Sequence, residues 1–105
     1  MEVTWSGGDA TGWVDIAGSS RVPRSATQPV QAGALFSCRV PANLGRFRIP
    51  AQVLLVLPPT VVTGGVPSGT VSVANTMTAV KVPLEGFYQA ELIYGVSVVR
   101  SVEFR

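Results

Sequence analysis

The sequence has no histidine and a single cysteine, and these shortages remove much of the common catalytic chemistry. Histidine is the usual general base and the commonest transition-metal ligand, so catalysis by Ser-His-Asp or Cys-His groups is excluded within this chain. Cys38 lacks a second cysteine with which it could form a disulfide or a zinc site. The sequence therefore predicts a protein that is not an enzyme, with no catalytic residue, no metal site and no cofactor.

The chain is also poor in charge: 13% of its 105 residues are charged and the net charge is +2. A nucleic-acid-binding surface needs a clustered excess of cations, whereas the arginines and Lys81 are spread from Arg21 to Arg105. No apolar run approaches the roughly 18 residues that a membrane-spanning helix requires. We therefore expect neither a nucleic-acid partner nor a transmembrane segment.

What the sequence does contain is typical of an all-β protein. Valine occurs 18 times, glycine 11 times and proline 8 times, and 47% of the residues are hydrophobic. β-Branched side chains favour strands, while glycine and proline interrupt helices. The length suits one domain, so we predict a single domain over residues 1–105. About seven short strands separated by turn residues predict an antiparallel immunoglobulin-like β-sandwich.

Alternating side chains indicate which residues of the strands face the core. In the second strand, Val14 and Ile16 are predicted to point inward, and Trp13 and Asp15 outward. The predicted strand over residues 34–40 and the last predicted strand, over residues 96–104, show the same alternation of inward and outward residues. The predicted inward residues of these two strands are Ala34, Phe36, Cys38, Val40, Val96, Val98, Val102 and Phe104, with Arg100 as the exception on that face. A free cysteine in this position is expected to behave as a small hydrophobe rather than as a nucleophile.

Several segments are predicted to interrupt the strand pattern. Residues 51–57 have apolar side chains at the spacing of one helical turn and follow Pro50, so we predict a short helical turn, with a strand as the alternative. Residues 19–32 lack a sustained period and are predicted to be a long connection, with a short extended piece near Val22 as an option, and to be either a crossover between sheets or a functional loop. Residues 60–69 are read as a flexible loop rich in glycine and proline. A hinge or bulge is predicted at residues 75–76.

Three stretches, in this order, carry a resemblance to a known domain type: VTWSGGD at residues 3–9, FSCRVP at residues 36–41 and FRIPAQVLLVLP at residues 47–58. The chain resembles an uncharacterised immunoglobulin-like β-sandwich domain that occurs near the C-terminal ends of large secreted proteins of soil bacteria. The resemblance covers most of the chain and implies the fold and export, and it supplies no catalytic residue.

The first residues, Met-Glu-Val-Thr-Trp, lack the basic start and apolar core of a signal peptide. An extracellular or cell-surface location is therefore expected if the chain belongs to a longer exported protein. A cytoplasmic location is the alternative.

Aromatic and basic residues are the candidates for a binding surface. Trp13 is predicted on the outward side of its strand, where its indole could stack on a sugar ring, and Tyr88 and Tyr94 are weaker candidates of the same kind. The arginines Arg39, Arg46 and Arg48 are predicted to lie on outward positions of neighbouring strands. They would form a small basic stripe that could dock a carboxylate-bearing glycan or an acidic protein surface. Solubilising charges on an exposed sheet face or edge are the alternative.

The acidic residues offer little for catalysis or metal binding. Asp9 and Asp15 are the acids closest in sequence, and a capping role for Asp9 in its turn and a solvated position for Asp15 are favoured over a glycosidase-like pair. The turn at Gly7-Gly8-Asp9 could supply oxygen ligands to calcium, although the dense aspartate spacing of dedicated calcium loops is missing.

These features favour a non-catalytic function. The leading hypothesis is an accessory, spacer or adhesion module of an exported multidomain protein, whose partners would be neighbouring domains or another protein surface. The second hypothesis is a carbohydrate-binding module that uses exposed aromatic rings on a glycan. The third is a small virion or tail structural protein that acts through assembly.

Overall fold

The computed structural model of the chain describes residues 1–22, 27, 32–77, 80–81, 85–86, 91–92 and 95–104. Antiparallel strands dominate this part of the chain, which confirms the all-β prediction. Its elements are β1 (Glu2–Thr4), β2 (Trp13–Val22), β3 (Ala32–Pro41), the 3-10 turn η1 (Ala42–Leu44), β4 (Arg46–Arg48), the helix α1 (Ala51–Leu54), β5 (Val62–Thr63), β6 (Val66–Pro67), β7 (Gly69–Thr76), β8 (Val80–Lys81), β9 (Glu91–Leu92) and β10 (Gly95–Val102).

The largest sheet contains four antiparallel strands in the order β10-β7-β2-β3. Trp13 of β2 lies opposite Pro41 of β3 on one side and opposite Thr76 of β7 on the other. Thr76 in turn lies opposite Gly95 of β10. Because directly opposite residues share a face of a sheet, this register determines on which face of the sheet each side chain of the four strands lies.

A second pair of strands, β1 and β4, lies over one face of the four-stranded sheet. The chain leaves β3 through η1, which ends at Gly45 in a left-handed conformation that glycine adopts without strain. The indole Nε1 of Trp5 donates a hydrogen bond to the carbonyl oxygen of Ala42 at 2.7 Å, so the end of β1 is held against η1. Val3 and Phe47 then pack against the buried core.

The core lies between that face of the sheet and the elements β1, β4 and α1. Val14 and Ile16 are 1% and 0% exposed, whereas Trp13 is 44% exposed, which confirms the alternation predicted for β2. The free thiol of Cys38 is half-buried and packs against the core, as predicted. The buried hydrophobic residues are Val14, Ile16, Phe36, Val40, Ala42, Ile49, Leu57, Val71 and Phe104.

The predicted burial of the last strand is wrong at one end. Phe104 is buried and Val102 packs against the core, as predicted, but Val96 and Val98 are 58% and 56% exposed. The segment after α1 contacts the Phe104 end, where the Thr60 N–H donates a hydrogen bond to the Phe104 carbonyl oxygen at 2.9 Å. Alternation places a side chain on one face of a sheet, but it does not predict whether another element covers that face.

The predicted helical turn is confirmed, although the helix is shorter than the predicted segment. α1 occupies Ala51–Leu54, and Leu55 and Val56 form a turn after it. Pro50 precedes the helix at its N-cap. A helix of one turn has little stability of its own, so it depends on packing of Val53 and Leu54 against the core.

Three predicted interruptions are strands in the structure. Residues 19–22 belong to β2 rather than to a loop, and β7 runs through residues 75–76 without a hinge. Part of the predicted loop over residues 60–69 is a hairpin in which β5 pairs with β6 across Gly64 and Gly65. Both glycines have positive φ angles, of 59° and 79°, which suits a two-residue hairpin turn.

Some predictions concern residues outside the described part of the chain. They are the aromatic candidates Tyr88 and Tyr94 and, apart from Thr27, the connection over residues 23–31.

Candidate functional site

The side of the four-stranded sheet that faces away from the core is termed the outer face. Its side chains form rows across the strands, because directly opposite residues share a face. The rows are Pro41, Trp13, Thr76 and Gly95; then Arg39, Asp15, Ala74 and Ser97; then Ser37, Ala17, Ser72 and Val99; then Leu35, Ser19, Thr70 and Ser101. Most of these residues are small or carry a hydroxyl group, so few side chains project far from the outer face and the face is weakly polar.

Trp13 is the one aromatic side chain among these rows, and it lies in the row at one end of the outer face. It is 44% exposed, in agreement with the predicted outward orientation. Asp15 follows it two positions along β2, and Arg39 lies diagonally across on β3. Diagonal neighbours on a sheet are about 7–8 Å apart, within reach of one ligand. The structure therefore brings together two of the predicted binding residues, Trp13 and Arg39.

An ion pair lies beside Trp13. Arg39 Nε and Nη2 donate hydrogen bonds to the two carboxylate oxygens of Asp15, at 2.7 Å and 2.9 Å. Thr76 Oγ1 lies 3.5 Å from Asp15 Oδ2 and donates a third hydrogen bond. The hydrogen bonds from the Arg39 guanidinium hold the pKa of Asp15 below its ordinary value, and the same carboxylate raises the pKa of Arg39. Both groups therefore stay charged near neutral pH, and their charges cancel locally.

The prediction that Arg39, Arg46 and Arg48 form a basic stripe on neighbouring strands is wrong. Arg46 and Arg48 lie on β4, whose strand partner is β1, while Arg39 lies on β3 and pairs with Asp15. The reason is η1, which carries the chain out of the four-stranded sheet between β3 and β4. Arg48 instead lies 4.0 Å from a carboxylate oxygen of Glu2, and both side chains are largely exposed.

Asp9 has a structural role in its turn, as predicted. Its Oδ1 accepts hydrogen bonds from the backbone N–H and the hydroxyl of Thr11, at 2.9 Å and 2.6 Å, and these bonds lower the pKa of Asp9. The preceding glycines, Gly7 and Gly8, have φ angles of 80° and 77°, a region that glycine adopts readily. Within the described residues, no three His, Cys, Asp or Glu side chains lie close enough to hold a metal ion.

The contacts of Asp15 were not predicted from the sequence. Its partners Arg39 and Thr76 lie 24 and 61 residues away along the chain. An acidic and a basic residue at outward positions of two strands are only a weak indication that the two form an ion pair. The signal becomes specific only when the register is known, since Asp15 must lie directly opposite Arg39.

Comparisons with models of known protein families, with curated proteins and with solved structures found no match. Among the described residues, no helix has the length and apolar character needed to cross a bilayer.

Proposed function

We propose that this protein is a non-catalytic module, acting as an accessory, spacer or adhesion domain of an exported multidomain protein. The proposal rests on the composition of the outer face, which combines hydroxyl and methyl side chains with one exposed indole and a neutralised ion pair. General acid–base catalysis needs a group that gains or loses a proton near the working pH. Asp15 remains ionised and Arg39 remains protonated at neutral pH, so this face is suited to contact rather than to turnover.

An immunoglobulin-like β-sandwich is the arrangement that we propose for this module. In such folds two antiparallel sheets enclose the core between their inner faces. The position of β1 and β4 over the core face of the four-stranded sheet supports this arrangement, as does the change of sheet at η1.

Hydrolysis assays test the non-catalytic proposal. The full chain and its Asp15→Asn variant should be incubated with polysaccharides and with ester and amide substrates, and products should be measured by reducing-end and chromogenic detection. We expect no turnover above the rate without protein. Hydrolysis by the native chain that Asp15→Asn abolishes, in a variant with an unchanged circular dichroism spectrum, would refute the proposal.

Carbohydrate binding is a second candidate, favoured by the exposure of Trp13. A planar ring beside short side chains leaves room for a pyranose to stack on the indole, while the hydroxyl groups of Thr76 and Ser97 nearby could bind its hydroxyls. Because Asp15 neutralises Arg39, the site has no net charge that would select an acidic sugar. A neutral glycan is therefore the expected ligand.

Binding to a panel of neutral and acidic polysaccharides tests this candidate. Affinity electrophoresis and intrinsic fluorescence of the full chain should show binding to a neutral glycan, and Trp13→Ala should weaken it about tenfold or more, as expected for loss of about 1.4 kcal/mol. Leu35→Ala is the matched control, because Leu35 is an exposed apolar residue of the same face, three rows from Trp13. Equal binding by both variants, or no binding to any glycan, would exclude this candidate.

A further inference from the structure

The ion pair of Asp15 and Arg39 is open to solvent and keeps hydrogen-bonding groups that a ligand can use. The side chains of Arg39 and Asp15 are 61% and 26% exposed. Arg39 uses one N–H of Nε and one of Nη2 for Asp15. Within the described residues, the second N–H of Nη2 and both N–H groups of Nη1 form no hydrogen bond. Because a guanidinium only donates, these groups are available to an oxygen atom of a ligand.

One of these donors lies directly beside an acceptor. Nη2 of Arg39 and Oδ2 of Asp15 are 2.9 Å apart. A carboxylate oxygen accepts more than one hydrogen bond, and the contact from Thr76 Oγ1 to the same oxygen is long, at 3.5 Å, so Oδ2 is not saturated. Neighbouring hydroxyl groups on a sugar ring offer the complementary set at a similar separation, with one oxygen that accepts and one O–H that donates.

The pair is held in place before any ligand binds. Asp15 lies directly opposite Arg39, and two parallel hydrogen bonds fix the plane of the guanidinium. The strand that carries Asp15, β2, has a hydrogen-bonded neighbour on each side. Groups that are already fixed lose little conformational freedom on binding, which favours a ligand that matches them.

Trp13 lies next to the pair on the same face of the sheet. It precedes Asp15 by two residues on β2, which corresponds to roughly 7 Å along an extended strand. The indole is 44% exposed. A sugar ring that stacks on it therefore brings the hydroxyls at its edge to Asp15 and Arg39, so that one ligand makes an apolar contact and polar contacts together.

The charge of Asp15 decides which ligands the guanidinium can accept. In the described rows of the outer face Asp15 is the one acid, and the next charged residue of that face along β2 is Arg21, roughly 20 Å away. A ligand carboxylate would have to displace Asp15 from Arg39 or lie beside it, and like charges close together are unfavourable. The pair therefore disfavours an acidic ligand, and loss of Asp15 would leave Arg39 free to bind one.

We propose that Asp15 and Arg39 determine the sugar specificity of the site at Trp13. Nη2 of Arg39 donates a hydrogen bond to one hydroxyl of the stacked sugar, and the neighbouring hydroxyl donates to Oδ2 of Asp15. The ligand is a neutral glycan with two adjacent free hydroxyls, and Asp15 excludes uronic acids. This inference rests on carbohydrate binding, the second candidate function, and names the residues that select the glycan.

Binding of neutral polysaccharides tests the two hydroxyl contacts. The full chain is titrated with dextran, mannan and hydroxyethyl cellulose, and with O-methylated forms of each, by affinity electrophoresis and tryptophan fluorescence. For a polysaccharide that the native chain binds, Asp15→Ala and Arg39→Ala should each weaken binding about tenfold or more, and O-methylation should do the same. Ser101→Ala is the matched control, since Ser101 is an exposed residue of the same face two rows from Asp15, and it should bind like the native chain.

Polygalacturonate tests the exclusion of acidic ligands. At low ionic strength, Asp15→Ala should bind this polyuronate about tenfold or more tightly than the native chain, and adding Arg39→Ala should remove the gain. Glu2→Ala is the matched control, since it removes one negative charge beside the exposed Arg48 on the β1–β4 pair. It should bind polygalacturonate like the native chain.

The outcomes separate this inference from carbohydrate binding itself. Circular dichroism confirms that each variant is folded, and Asp15→Asn replaces Asp15→Ala if the latter is not. The inference is overturned, and carbohydrate binding stands without it, if both alanine variants of the pair bind the neutral polysaccharide like the native chain or if O-methylation has no effect. It is also overturned if Glu2→Ala gains as much affinity for polygalacturonate as Asp15→Ala. If the native chain binds no neutral polysaccharide, carbohydrate binding is excluded and this inference with it.

Discussion

At the scale of single residues, the packing of Phe36 depends on the absence of a side chain at Gly18. The two residues lie directly opposite each other on β3 and β2, and Phe36 is buried. A Cβ atom built on Gly18 would lie 2.3 Å from Cε1 of the Phe36 ring, so the ring covers the backbone of β2 at this point. Gly18→Ala should lower the free energy of unfolding by about 1–3 kcal/mol, because the ring must move out of its place. Urea unfolding followed by tryptophan fluorescence measures the change.

The cause of that loss is tested in a second background. If the clash with the Phe36 ring is responsible, Gly18→Ala should destabilise a Phe36→Leu protein by less than half as much as it destabilises the native one. Equal effects in the two backgrounds would show that the loss comes from the backbone of β2 rather than from the ring.

At the scale of elements, Ser20 connects β2 to the segment that follows α1. The Ser20 side chain is fully buried, and its Oγ donates to the Pro58 carbonyl oxygen at 2.7 Å. Ser20→Ala should therefore cost about 1–2 kcal/mol, because the hydrogen bond that its fully buried hydroxyl donates is lost. Ser19→Ala is the matched control: its Oγ lies 3.0 Å from Thr70 Oγ1 on the outer face, where water can replace the lost bond. Thermal unfolding of both variants would contradict this account if Ser19→Ala cost as much as Ser20→Ala.

Elements with clean alternation or clear turn residues were predictable from the sequence, and elements that depend on distant contacts were not. The inward orientation of Val14 and Ile16 and the helical turn at α1 follow from the local spacing of apolar residues along the chain. The sequence pattern places Ser20 in a connection, because it does not show that a carbonyl from another segment accepts a hydrogen bond from the Ser20 hydroxyl. The pairing of Asp15 with Arg39 depends on the register of β2 and β3, which no local signal specifies.

At the scale of the whole molecule, the apolar surface is unevenly covered. The Phe104 end of β10 is buried, while Val96 near its other end and Leu55 in the turn after α1 are exposed. Both exposed patches lie at the ends of the four-stranded sheet rather than on its outer face.

The topology of the four-stranded sheet predicts how strongly each strand is protected from hydrogen exchange. β2 and β7 have a hydrogen-bonded neighbour on both sides, whereas β3 and β10 are the outer strands in the described sheet. Amides of β2 and β7 should exchange slowest, near the rate of global unfolding, and those of the two-residue hairpin strands β5 and β6 fastest. Exchange measured by two-dimensional NMR on dilute protein checks this order, and slowest exchange in β5 or β6 would contradict the sheet order.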